Sequence, residues 1–230
     1  MVVLAALAES AAAVIRVLAL ALWGTVLLQS SLSGRLDLLL RGGFHPLVGI
    51  SGALLLVLAA LQLPRRHQGL QRPPWPWLIS GAVALAVLLV PPSPSFNQLA
   101  ANRPAQLEVE PALDFLLPPA QRSLTDWVRL LRSQPDPQLY AGDPVRISGF
   151  VLEEPGQPPQ LARLLVRCCL ADATPVGLPV RWPAGFRPRA DQWLALEGQM
   201  GIEAAGGQTR SLVIAERVRP IPRPRRPLEP

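Results

Sequence analysis

The chain has 230 residues, half of them hydrophobic, and a formal net charge of +6. Its first hundred residues hold six arginines and two acids, whereas the remainder holds sixteen arginines and fourteen acids. This division predicts an apolar, membrane-embedded part followed by a charged, soluble part, and the near balance of charge in the soluble part argues against nucleic acid as a partner.

Three apolar stretches in residues 1–92 predict transmembrane helices, with spans of about 11–30, 45–63 and 75–91. The first is apolar apart from Arg16 and is long enough to cross a hydrocarbon core of about 30 Å. The third is the shortest and is flanked by prolines. Small residues in the second and third spans favour close helix packing, either within this chain or against another membrane protein.

The connector between the second and third spans predicts the orientation of the chain. Residues 64–74 carry three arginines and one histidine and no acid. The positive-inside rule therefore places this connector and the N-terminus in the cytoplasm, and the C-terminal domain outside it. We expect a multi-pass protein of the inner (plasma) membrane. Helices so poor in polar side chains cannot line a pore unaided.

The soluble part predicts a small β domain. Residues 93–122 are rich in proline and predict a linker with little regular structure. Ser123 and Asp126 have the spacing of a capping box before a short helix. The expected fold is an α+β membrane protein whose soluble domain, residues 123–218, is an all-β, OB-like five-stranded barrel with one preceding helix. The Arg/Pro-rich residues 219–230 predict a disordered tail. The strand-like stretches are 145–151, 161–170, 176–182, 192–200 and 211–218.

The two cysteines of the chain, Cys168 and Cys169, are adjacent at the end of the second predicted strand. A trans peptide holds neighbouring Cα atoms about 3.8 Å apart, which is too close for an ordinary disulfide. Successive side chains of a strand point to opposite faces, so both thiols can bind one soft metal only if the strand bulges or ends there. On a regular strand Cys168 is a core residue, and Cys169, beside Arg167 and on the face of Arg163, is the more reactive thiol. A structural role and metal or thiol chemistry, with Asp172 as a third metal ligand, both stay open.

The sequence does not predict an enzyme. Both histidines lie in or beside the apolar region, and the soluble part offers no nucleophile–base pair and no paired carboxylates. We expect no catalytic residue and no cofactor, with a soft metal as the one open alternative.

Three motifs of the soluble part resemble those of the YcgQ-like (DUF1980) permease-subunit family. The motif YxGxxVxxxGFV covers residues 140–151, RxxxxCCxADA covers residues 163–173, and WxxxxG covers residues 193–198. The CC-x-A-D-A run is the most specific of these. The other motif positions are Gly142, Gly149, Phe150, Trp193 and Gly198.

The resemblance implies an accessory membrane subunit that pairs with a polytopic permease in the lipid bilayer. The extracytoplasmic β domain would capture or gate a solute. The candidate site residues carried over from the motif are Arg163, Cys168, Cys169 and Asp172. The alternative is a membrane-tethered domain that binds or senses a soft metal, or undergoes thiol redox chemistry, at the two cysteines.

Overall fold

The protein forms two compact units, Met1–Ser93 and Pro94–Pro230. The first unit is helical, and the second is a β-barrel with short helices. The computed structural model describes residues 2–62, 75–90, 93–103, 117–205 and 208–229.

The helical unit consists of α1 (Val2–Leu32), α2 (His45–Gln62) and α3 (Trp75–Leu89). Helix α1 packs against both of the others. Its contact with α2 runs through glycine, since a Cβ atom added to Gly24 would lie 2.9 Å from the carbonyl oxygen of Gly52. The backbones therefore approach closely, as small residues allow in helix pairs that pack in lipid.

Two segments of this unit are long and apolar enough to cross a bilayer: Ala11–Leu32 and Gly42–Gln62. The predicted number of three spans is wrong for the described residues, because α3 has fifteen residues and reaches only about 22 Å at ~1.5 Å per residue. Prolines precede and follow its apolar run in the sequence, and proline does not continue a helix.

The second unit contains five long strands and one short one. They are β1 (Pro144–Leu152), β2 (Gln160–Leu165), β3 (Thr174–Arg181), β4 (Trp193–Ala205), β5 (Gln208–Pro220) and β6 (Leu228–Glu229). Strand β1 pairs antiparallel with both β2 and β4, and β2 pairs antiparallel with β3. Strands β4 and β5 are antiparallel, and the parallel pair β3–β5 closes the ring. The predicted five-stranded barrel is confirmed.

Two motif glycines permit close approaches between strands. A Cβ atom at Gly149 would lie 2.5 Å from the Ala162 carbonyl oxygen on β2, and one at Gly198 would overlap the Ile214 carbonyl oxygen on β5. Gly198 lies at a register shift between β4 and β5. Glycine is therefore required where β1 meets β2 and where β4 lies opposite the bulge in β5.

Helix α5 (Leu124–Ser133) covers one part of the barrel core. The capping box is present: the Ser123 hydroxyl accepts the Asp126 N–H at 3.1 Å, and the Asp126 carboxylate accepts the Ser123 N–H at 2.9 Å. The predicted apolar face is buried against the barrel through Leu124, Trp127 and Leu130. Barrel residues in the same core include Leu161, Val176, Leu194, Leu196 and Val213.

The structure differs from the predicted linker at helix α4 (Phe96–Ala101). Phe96 is buried in a second apolar cluster, with ring centroids 5.7 Å from Phe150 and 6.1 Å from Trp193. The Asp191 carboxylate accepts the Asn97 N–H at 2.7 Å, near the start of the helix. The proline-rich composition predicted no helix here, because the contacts that order α4 come from Phe150 and Trp193, far along the chain.

The structure also differs from the predicted disordered tail. Strand β6 pairs in parallel with β2, which places Leu228 opposite Leu164. Glu229 accepts a hydrogen bond from the Thr125 hydroxyl and forms a 3.4 Å ion pair with Arg163. Two residues of strand and one partly buried ion pair order a segment whose composition alone predicts disorder.

Candidate functional site

The cysteine pair lies in a turn, because β2 ends earlier than predicted. The predicted strand runs to residue 170, whereas the observed strand ends at Leu165. The opposite-face argument therefore does not apply to Cys168 and Cys169. Their Sγ atoms lie 3.5 Å apart on the same side of the chain, and both thiols are free.

The side chain of Asp172 ends the strand. Its Oδ1 accepts the Arg167 N–H at 3.1 Å, and its Oδ2 accepts the Cys168 N–H at 2.8 Å. The Asp172 N–H in turn donates to the Cys169 carbonyl at 3.0 Å, in a short 3-10 turn, Leu170–Asp172. Aspartate favours such local bonds over the bonds of a sheet, so the backbone wraps around the carboxylate.

A residue from outside the motif supports this turn. The Arg103 guanidinium follows helix α4, and its Nη1 donates to the carbonyl oxygens of Leu170 at 2.9 Å and Ala173 at 2.7 Å. Arg103 was not among the predicted site residues, because no local pattern links an arginine at this position to a turn 67 residues away.

Three side chains of the turn make a potential metal-binding cluster. One ligand atom each from Cys168, Cys169 and Asp172 lies within 4.8 Å of the others, and all three residues are partly exposed. Two sulfurs and a carboxylate oxygen suit a soft or borderline metal ion. Of the predicted site residues, the structure brings these three together.

The carboxylate also sets the protonation of the turn. A hydrogen bond to Asp172, then one to Cys169, raises the pKa of Cys168 to about 12. Burial acts to raise the pKa of Asp172, but hydrogen bonds from the Cys168 thiol and from nearby backbone N–H groups outweigh it and lower that pKa. The free turn therefore pairs a protonated Cys168 with an ionised Asp172.

Arg163, the fourth predicted site residue, has partners elsewhere in the barrel. Its Nε donates to the Ser148 carbonyl at 2.8 Å, and its guanidinium lies 4.9 Å from the ring centroid of Trp193. Burial lowers the pKa of Arg163, and the Glu229 carboxylate opposes that change. Its described contacts tie β1, β2 and β6 together, which is a structural role.

The remaining motif positions also support the barrel. Phe150 and Trp193 pack around Phe96, and the Gly142 N–H donates to the Met200 carbonyl at 2.8 Å. These residues shape the scaffold on which the cysteine turn lies.

Residues 122–228 match the family of the DUF1980 C-terminal domain. The match begins just before α5 and runs through the barrel and the cysteine turn, and it leaves out Arg103 and α4. No curated protein and no solved structure matches the chain.

Proposed function

Because residues 122–228 belong to the YcgQ-like (DUF1980) family, we propose that the chain is an accessory membrane subunit of a two-component permease. In this role the helical unit anchors the chain beside a polytopic partner, and the barrel captures or gates a solute outside the cytoplasm. The outward apolar surface of the helical unit is the observation that carries the proposal.

That surface is continuous along α2. Ile50, Leu54 and Val57 are 65%, 56% and 53% exposed and lie four and three residues apart, on one helical face. Exposed apolar patches of this kind on a soluble protein mark contact with a membrane or another protein. A bilayer with an embedded partner supplies both.

The interior of the helical unit indicates that transport of a solute needs a partner protein. Its helix contacts involve glycines and apolar side chains, together with a 2.9 Å hydrogen bond from Trp23 Nε1 to Ser80 Oγ. Arg16 lies 5.6 Å from the ring centroid of Trp77. Such packing gives a solute no continuous polar path through the described helices, so transport requires a second protein.

A crosslinking pull-down of the full chain from native membranes tests this role. A polytopic membrane protein should co-purify in a mild detergent, and the double variant Ile50→Ala/Leu54→Ala should recover less of it because the apolar face is thinner. Leu139→Ala, at an exposed position of the second unit, is the matched control. A chain that stays monomeric and recovers no membrane protein would contradict the proposal.

The alternative function is a membrane-tethered soft-metal or thiol sensor, which the cysteine turn favours. A sensor needs no conducting partner. The pull-down therefore separates the two roles.

A further inference from the structure

We infer that the turn of Cys168, Cys169 and Asp172 is an exchangeable binding site for one thiophilic divalent metal ion, with Zn²⁺ as the best fit. The site itself stands on the geometry of the turn. Its interpretation as the solute-capturing site rests on the proposed function.

The two sulfurs are already near the spacing that such an ion requires. Two Zn–S bonds of about 2.3 Å at a tetrahedral angle place their sulfurs about 3.8 Å apart. The Sγ atoms of Cys168 and Cys169 are 3.5 Å apart. A movement of a few tenths of an ångström converts the thiol pair into one edge of a tetrahedron.

Asp172 has the capacity to be the third ligand without giving up its structural bonds. Each of its carboxylate oxygens accepts one backbone N–H, at 3.1 Å and 2.8 Å. A carboxylate has about four lone-pair positions. The Cys168 thiol also donates to this carboxylate, and it loses that proton when a metal binds, which leaves a position for the metal. The backbone bonds orient the carboxylate, and hydrogen bonds of this kind around a ligand commonly raise metal affinity.

The ligand set favours Zn²⁺ among the metals that bind thiolate. Thiolates suit both Cu⁺ and Zn²⁺, whereas carboxylate oxygen suits harder divalent ions, so the combination points to Zn²⁺. Three protein ligands leave a fourth position for water or for an incoming ligand, so the protein does not enclose the ion as it would in a four-ligand structural site. The partly exposed turn keeps that position accessible.

The binding step is an acid–base exchange without electron transfer. Two S–H bonds break, two metal–sulfur bonds form, and two protons pass to the buffer while Asp172 contributes its ionised oxygen. The barrel has its own apolar core, so the fold does not depend on the ion. An ion bound in this way is available for transfer to a partner.

Metal titration of the full chain in detergent, without a histidine tag, tests the site. We expect one Zn²⁺ or Cd²⁺ per chain, two protons released, and two sulfur neighbours in the X-ray absorption spectrum of bound Cd²⁺. Cys168→Ser and Cys169→Ser should each weaken binding at least 100-fold, and Asp172→Asn about tenfold or more. Glu216→Gln, which changes an exposed acid on β5, should leave the affinity unchanged.

Several results would overturn the inference: no saturable binding, a Cd²⁺ spectrum without sulfur, unchanged affinity in both cysteine variants, or one ion shared by two chains. The wild-type spectrum does not depend on whether any variant folds. Partner recovery by the wild-type chain, compared with its metal titration, separates the two proposals. A wild-type chain that recovers a partner but binds no metal refutes the metal site alone, and a wild-type chain that binds metal but recovers no partner refutes the permease role alone.

Discussion

The two units of the chain differ in where their large aliphatic side chains lie. In the barrel, Leu161, Leu194 and Leu196 are fully buried. In the helical unit, Ile50 and Leu54 are more than half exposed, and glycine backbones occupy the interior. The barrel has apolar side chains inside, whereas the helical unit has small residues inside and apolar side chains outside.

This contrast is what the proposed function expects of a membrane anchor joined to a domain outside the bilayer. Burial of apolar area stabilises the barrel. The outward leucines and isoleucine gain nothing in water, and helices of this kind associate through close packing when lipid surrounds them. Hydrophobic residues of the same kind therefore form a core in one unit and an exposed surface in the other, as the proposed membrane anchor requires.

The largest expected effect comes from opening the barrel core. Leu161→Ala removes a fully buried side chain and should lower the free energy of unfolding of the barrel by about 2–5 kcal/mol through lost transfer energy and a cavity. Hydrogen exchange of the β1–β5 amides in the full chain measures this loss of protection. Leu139→Ala, at a 59% exposed position, should change the value by less than about 0.5 kcal/mol. Equal effects of the two substitutions would contradict the assigned core.

A charge on the outward helix face tests the other half of the comparison. Leu54→Arg places an arginine within α2, and if α2 crosses the bilayer as proposed, its insertion becomes about 2.5–3.5 kcal/mol less favourable. The fraction of chain that resists alkaline extraction from membranes should fall, whereas Leu54→Ala should behave almost as the wild type. If Leu54→Arg left extraction unchanged, the α2 face would not be in contact with lipid.

The charged groups of the barrel should differ among themselves according to burial. Glu229→Gln removes the ionised partner of Arg163, which is only 9% exposed, and should cost about 1–3 kcal/mol of barrel stability. Glu203→Gln breaks an exposed pair with Arg210, and we expect at most about 1 kcal/mol. Denaturant unfolding of the two variants gives the comparison. A smaller loss for Glu229→Gln than for Glu203→Gln would refute the role assigned to the tail.

The sequence predicted those parts of the fold that depend on residues close together in the chain. Alternating apolar residues indicated the five strands, and the spacing of Ser123 and Asp126 indicated the start of α5. Both predictions are confirmed because the physical cause, burial of one face or a bond across one turn, lies within a few residues.

The parts that differed depend on partners far along the chain. Phe96 is ordered by Phe150 and Trp193, and Glu229 by Thr125 and Arg163. No pattern within 93–122 or 219–230 contains these partners, so composition dominated the prediction. Metal binding by Cys168, Cys169 and Asp172 stays a prediction, although the structure does bring the three side chains together. The predicted end of the strand at residue 170 was wrong, because β2 ends at Leu165. Strand parity separates the thiols, whereas the Asp172 carboxylate ends the strand and brings them together.

The smallest expected effect concerns the reactivity of the Cys168 thiol. It lies in the cysteine turn, which is polar and partly exposed, in contrast to the apolar core of the barrel. Hydrogen bonds to the Asp172 carboxylate and then to Cys169, together with burial, raise the pKa of Cys168 to about 12, against about 8.5 for an ordinary thiol. The thiolate is the nucleophile, so in a Cys169→Ser background the alkylation rate of Cys168 should keep rising with pH beyond the point at which an ordinary thiol levels off. Adding Asp172→Asn removes the carboxylate, lowers the pKa of the thiol, and should move this levelling to lower pH with severalfold faster alkylation near neutrality. Mass spectrometry of the alkylated peptide measures both rates, with Glu216→Gln as the charge-matched control. A pH profile that Asp172→Asn does not shift would mean that the carboxylate does not hold the Cys168 proton. The polar contacts of the turn would then have no effect on its thiol chemistry.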